Sequence, residues 1–186
     1  MHDGVHFFDR PLAITDVETT GRDRDAHEII DIGLVLADQR TLELVAEWGV
    51  RILPTRLHLA ESDALALNGY APERWHDAVP LADAMASYAS KTAGAVFASY
   101  NVTFDWKFIE AAFKETGAAN GMDYHRFCIM SAAWDRLRDA GGRSVKLDAL
   151  SLHLGIPEEP KPHHALTGAR QASAADRKLR GLCQRT

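Results

Sequence analysis

Asp16 and Glu18 stand two residues apart at the end of an apolar run, residues 12–17, and Thr19, Thr20 and Gly21 follow at once. Side chains two apart on a strand point to the same face, so this spacing sets two carboxylates side by side where the strand runs out. Like charges held that close need a cation, and an all-oxygen donor set suits magnesium or manganese. Taken alone, Asp-x-Glu is common by chance and is more often a solvated strand end than a site.

Two further groups occupy comparable places. Asn101 and Asp105 follow the short apolar run 95–99 and open a helical pattern, with Asp105 in its first turn. Asn and Asp are also ordinary capping residues, so a plain cap competes with a chemical role, and Thr103 is another candidate N-cap. His163 and His164 lie at the head of the last helical stretch; a His-His pair is more often surface or capping than catalytic.

Holding these side chains together requires particular elements. Residues 12–17, 28–37 and 42–53 read as strands, the second and third joined by a turn at 38–40 and the third ended by Pro54, which suggests an antiparallel meander. Helical patterns follow at 61–67, from near Pro72 and from Leu81, where Ala84, Met85, Tyr88 and Ala89 form an apolar stripe. Residues 95–99 read as a buried fourth strand. The next helix carries Phe104 and Phe108 on its inner face, and Gly117 ends it. A fifth short strand lies near Phe127, helices cover 129–139 and 145–154 on either side of Gly141-Gly142, and a last helix runs from His163 or His164 to about Arg180. The pattern predicts an α/β domain with a mixed sheet and helices on both faces, and sites in such folds gather at strand ends.

At 186 residues and 46% hydrophobic, the chain suits one domain; we place it at 11–180, with tails at 1–10 and 181–186. The net charge of -5 argues against a broadly basic surface for duplex DNA, although bound divalent metals can supply positive charge at a reacting phosphate. Cys128 and Cys183 match no metal-ligand or redox spacing. The first eight residues are too polar for a signal peptide, and no apolar run reaches membrane-spanning length, so the expectation is a soluble, cytoplasmic protein. Trp48, Trp75, Trp106 and Trp134 read as core or core edge. His27, His58, His76, His125 and His153 read as surface or hydrogen-bonded structural residues, and Asp31, Asp63, Asp77 and Asp148 as turns, caps or solvated faces. The basic residues between Arg170 and Arg180 read as a solvated helix face, with a phosphate-facing role as the alternative.

The order Asp16-Val17-Glu18-Thr19-Thr20-Gly21, then Asn101-Val102-Thr103-Phe104-Asp105, then His163-His164-Ala165-Leu166 resembles the DEDDh 3′→5′ exonuclease family, which includes proofreading subunits of bacterial polymerases, oligoribonuclease and RNase T. Glu28-Ile29-Ile30-Asp31-Ile32-Gly33, Leu67-Asn68-Gly69-Tyr70 and Lys146-Leu147-Asp148-Ala149-Leu150 are similar to its secondary features. The resemblance implies a ribonuclease H-like fold of about five strands and hydrolysis of single-stranded DNA or RNA from a free 3′ end, releasing nucleoside 5′-monophosphates. It implies two divalent cations, Mg²⁺ or Mn²⁺, about 3.5–4 Å apart, with Asp16, Glu18 and Asp105 as ligands and His163 as general base. Thr19, Thr20 and Gly21 are implied as contacts to the terminal nucleotide. Tyr70 and Tyr100 are candidates for base stacking or for packing at the core edge, and Asn101 for orienting Asp105 or a phosphate, or for a cap.

One position departs from the family. Its last motif carries an aspartate five residues after the histidine, where this chain has Gly168. Asp176 lies eight residues further on, about 12 Å along a helix, too far to replace it. The expectation is a weakened cation site on the nucleophile side, low activity with magnesium and recovery at high manganese. Two other readings stand beside the nuclease: an inactive member that binds nucleic-acid 3′ ends or a polymerase-like partner, and a metal-dependent phosphohydrolase acting on nucleotides or very short oligonucleotides.

Overall fold

A computed structural model describes residues 4–138 and 144–182. Five strands among these residues form one sheet: β1 (Leu12–Thr19), β2 (Ile29–Ala37), β3 (Leu44–Arg51), β4 (Val96–Ser99) and β5 (Arg126–Cys128). Their order is β3-β2-β1-β4-β5, with β1 antiparallel to β2 and β2 to β3, and β4 parallel to β1 and β5. This is the predicted meander extended by two parallel strands, a ribonuclease H-like mixed sheet. Among the described residues, six helices flank it: α1 (Ser62–Asn68), α2 (Leu81–Thr92), α3 (Val102–Thr116), α4 (Ile129–Leu137), α5 (Leu147–His153) and α6 (Ala165–Leu182). Among the described residues, none is long and apolar enough to cross a membrane.

Alternation along β1 sorts its side chains between two cores. Leu12 and Ile14 join Val35, Ile129, Ala133 and the small residues Ala169, Ala172 and Ala175 of α6. Ala13 and Val17 join Ile32, Leu34, Met85, Tyr88 and Phe108 beneath α2 and α3, where the Thr15 and Tyr88 hydroxyls share a 2.8 Å hydrogen bond. The even-numbered residues of β1 therefore face α6, and Asp16 and Glu18 are even-numbered.

The start of α6 lies directly on β2. A Cβ on Gly33, the residue across from Asp16 in the ladder, would fall 2.1 Å from the Ala165 carbonyl. Only a residue without a side chain admits the helix there, and that approach carries His163 and Gly168 over the end of β1.

The structure departs from expectation at several points. The segment from Pro72 is one 3₁₀ turn, Pro72–Arg74, ended as Trp75 turns inward to donate its indole N–H to the Ile30 carbonyl. Residues Phe7–Asp9, placed in an N-terminal tail, form a 3₁₀ turn whose Phe7 packs on the core and whose carbonyl accepts from the Gln39 amide. Trp134 is 68% exposed on the outer face of α4 rather than at the core edge. Asn101, not Thr103, holds the N-cap position of α3, without a side-chain capping bond. The basic residues of α6 tie the helix to its surroundings: Arg170 pairs with Glu47, Arg177 donates to the Leu42 carbonyl, and Arg180 bonds Asp176 and the Gln39 carbonyl. Those bonds leave Arg170, Arg177 and Arg180 committed to protein partners rather than facing a phosphate. Gly141-Gly142, Cys183 and the opening three residues lie outside the described residues.

Candidate active site

Asp16 and Glu18 point from the last turn of pleat in β1, just before a register shift between Glu18 and Thr19 ends regular pairing with β2. Asp105 arrives by another route. Because β4 pairs in parallel with β1, Ile14 lying beside Ala98, its chain leaves the sheet level with Asp16 and turns at once into α3. Asp105, 4% exposed, then accepts the Val17 backbone N–H at 3.3 Å. With His163 and Gly168 above them, these residues line one pocket of about 710 Å³, together with Asn101, Tyr100, Phe104, Leu67 and Glu159.

The acids repel one another. Burial first, then the charges of Asp105, Glu18, Glu159 and Asp31, push Asp16 well above the usual carboxylate range. Burial, then Glu159, Asp31 and Asp105, raise Glu18 to about 8. Burial holds Asp105 up at about 7 against the hydrogen bond from Val17, and raises Asp31 to about 6 against the Ala165 amide. An acid whose folded pKa lies above its unfolded value stabilises the fold fully below about pH 4, and that contribution is lost as pH climbs through the folded value. The metal-free protein should therefore lose stability between about pH 5 and pH 8.5, reading as roughly 5–10 °C in melting temperature for a domain of this length. A divalent cation should recover most of it at the upper end. A flat or rising profile in chelator would show that these carboxylates do not repel in the folded state.

Of the two histidines, His163 lines the pocket, with its Nδ1 3.3 Å from Glu159 Oε2. His164 turns away towards Asp31, its Nδ1 3.9 Å from Oδ2. Asp31 is not a solvated turn: it is buried and accepts the amide of the first residue of α6, fixing that helix end. Asn101 is exposed at the pocket. Thr19 and Gly21 line an adjoining pocket that shares Val17, Glu18, Leu67 and Phe104. Thr20 is turned inward, its amide donating to the Glu28 carbonyl and its hydroxyl accepting the Glu28 amide, so neither group is free for a substrate. Tyr70 packs on Trp75, ring centres 5.0 Å apart, and is absent from the lining of both pockets. Tyr100 is buried at the pocket wall with its hydroxyl donating to the Val145 carbonyl. Phe104 packs against the core from the inner face of α3, as expected, and also lines both pockets. Glu159 is not legible in the sequence because the Glu158-Glu159 pair in a proline-rich connector carries no periodic signal; the spacing of four between Glu159 and His163 is the available hint.

The donors suit a hard cation in type and charge: oxygens only, in buried acids, with Asp16 and Glu18 raised further by acidic neighbours. Among the described residues, however, no three His, Cys, Asp or Glu side chains stand close enough to enclose a metal ion as placed.

Residues 13–174 match the family model of RNase T-type exonucleases. The chain is 27% identical over 173 residues to the PolC-type DNA polymerase III of Thermotoga maritima, covering 91% of this chain and 12% of that polymerase. It superposes on E. coli exonuclease I in complex with a dT13 oligonucleotide with a TM-score of 0.81 at 19% identity, over 95% of this chain and 42% of that one. The zinc-bound form of the E. coli exonuclease I–single-stranded DNA complex gives 0.81 at 17% identity over the same shares. The chain thus spans under half of each relative. With the family profile covering nearly its whole length on a matching fold, the chain belongs to the RNase T family of DEDD-type exonucleases.

Proposed function

We propose that this domain, residues 11–180, is a divalent-metal-dependent 3′→5′ exonuclease that releases nucleoside 5′-monophosphates from single-stranded DNA or RNA. The observation that carries the reading is the meeting of Asp16, Glu18, Asp105 and His163, from three separate segments, in one pocket. Asp16, raised by burial and then by Asp105 and Glu18, would be the acid shared by two cations; Glu18 would hold the cation on the side of the attacking water, and Asp105 would support the site directly or through a water. Bound magnesium or manganese would offset the phosphate charge and make water a nucleophile at neutral pH. The contact from His163 Nδ1 to Glu159 leaves Nε2 as the ring atom that takes the proton from the attacking water. Asn101, Thr19 and Gly21 border the path of the strand, Phe104 and Leu67 forming its apolar wall. Single-stranded DNA as substrate is supported by the oligonucleotide in the exonuclease I complex, and a polymerase setting by the PolC-type relative.

Gly168 favours a second reading, a member that binds 3′ ends without cutting them. The two separate in an assay on 5′-labelled single strands, DNA and RNA in parallel, with magnesium, manganese or chelator. Stepwise shortening from the 3′ end, release of 5′-monophosphates and arrest by chelator are expected, with manganese outperforming magnesium. Retention of the strand without shortening, even in manganese, would establish the non-cutting reading. Turnover confined to substrates of a few residues would point to a short-oligonucleotide phosphohydrolase.

A further inference from the structure

Gly168 is not simply a gap. A Cβ at this position would lie 2.5 Å from Asp16 Oδ2 and 2.8 Å from its Cγ, so the Asp16 carboxylate occupies the space into which a side chain at 168 would project. Position 168 faces the acids, as the family pattern requires of its last aspartate, yet brings no charge to them. The site still holds a further carboxylate. Glu159, in the connector before α6, lines the same pocket with a side chain 12% exposed.

Its two oxygens have different surroundings. Oε2 lies 3.3 Å from His163 Nδ1, whereas Oε1 is buried with no hydrogen-bond partner among the described residues. An ordinary ion pair at a pocket rim keeps its spare oxygen in water; a buried acceptor left unmatched destabilises the fold, the more so when charged. Glu159 is also close enough for its charge to raise both Asp16 and Glu18. A carboxylate placed against two others, with an orphaned oxygen, is an arrangement that a bound cation would relieve.

We propose that Glu159 is the replacement acid of this site: Oε2 orients His163, and Oε1 is the oxygen that a divalent cation recruits in place of an aspartate at 168. The inference rests on the metal-dependent reading above and adds to it the source of the missing negative charge. It changes what a family-restoring substitution should do. In the natural chain, Gly168→Asp would crowd Asp16 and bring one acid too many; where Glu159 has been neutralised, the same change would supply the charge again.

The test is Mn²⁺ binding, followed by titration calorimetry and by the paramagnetic signal of free Mn²⁺, for the natural chain, Glu159→Gln, Gly168→Asp and the double variant, with Glu110→Gln on α3 as control. Glu159→Gln should weaken the weaker Mn²⁺ site by about 10–100-fold, and adding Gly168→Asp should recover most of that loss while giving little in the natural background. Glu159→Gln binding Mn²⁺ within about twofold of the natural chain would overturn the proposal, as would a loss that Gly168→Asp leaves unrepaired. If the natural chain binds no Mn²⁺ and shortens no strand, the metal-dependent reading itself falls; unchanged binding in Glu159→Gln beside an active natural chain sinks this inference alone.

Discussion

Asp16→Asn should lower strand hydrolysis by roughly 10³–10⁴-fold, since metal-ion stabilisation of developing charge is worth several kcal/mol and each 1.36 kcal/mol is a factor of ten. The substitution keeps the shape and removes the charge. Asp16 is the acid to choose because its neighbours include Asp105, Glu18 and Glu159, so its charge would be shared by any cations bound among those groups.

The same variant makes an opposite prediction about stability, which separates loss of chemistry from loss of fold. In chelator at about pH 8, wild-type Asp16 either stays protonated at the cost of the raised pKa or ionises against its neighbours, whereas the unfolded chain ionises freely. Asparagine has neither cost, so Asp16→Asn should melt higher than the natural chain without metal, by about 2–4 °C for each kcal/mol relieved. With saturating Mn²⁺ the order should reverse, because a ligand that binds only the folded state stabilises in proportion to its affinity. A variant within tenfold of natural activity, or one with the same Mn²⁺-induced shift in melting, would remove Asp16 from the metal site.

What could be read from sequence followed the range of the interactions involved. The pairing of Asp16 with Glu18 is a period-two property of one strand, and the place of Asp105 follows from a short connection between a buried strand and a helix. Both are local and both were legible. The choice of His163 over His164 rested on motif order, and the structure separates the two by the approach of α6 to β2 at Gly33, a contact between segments more than a hundred residues apart. Asp31 reads from sequence as a turn, a cap or a solvated face, and only the start of α6 decides among them by making it a buried cap. Thr20 and Tyr70 drew attention as small or aromatic neighbours of the motif, but the turn into β2 and the inward Trp75 use them for packing and backbone pairing. Trp134 shows the reverse error: a large apolar residue on an amphipathic helix is not obliged to face the core.

His163→Gln should reduce the rate by about 10²–10⁴-fold, the span expected for a positioned general base, while leaving Mn²⁺ affinity close to natural. Glutamine still offers a polar group to Glu159 but cannot take and release a proton at neutral pH. The decisive reading is the pH–rate profile at saturating Mn²⁺. Metal binding requires its carboxylate ligands to be deprotonated, so under saturation the titrations that raise Asp16, Glu18 and Asp105 in the metal-free protein are suppressed. An acid limb that persists then comes from a group other than those carboxylates, and the two histidine variants identify it. The natural chain should show that limb and His163→Gln should not. His164→Gln, whose ring faces Asp31 rather than the pocket, should keep it. If the limb survives in His163→Gln and disappears in His164→Gln, the ring seated over Asp31 must swing into the pocket during turnover, and the base is His164.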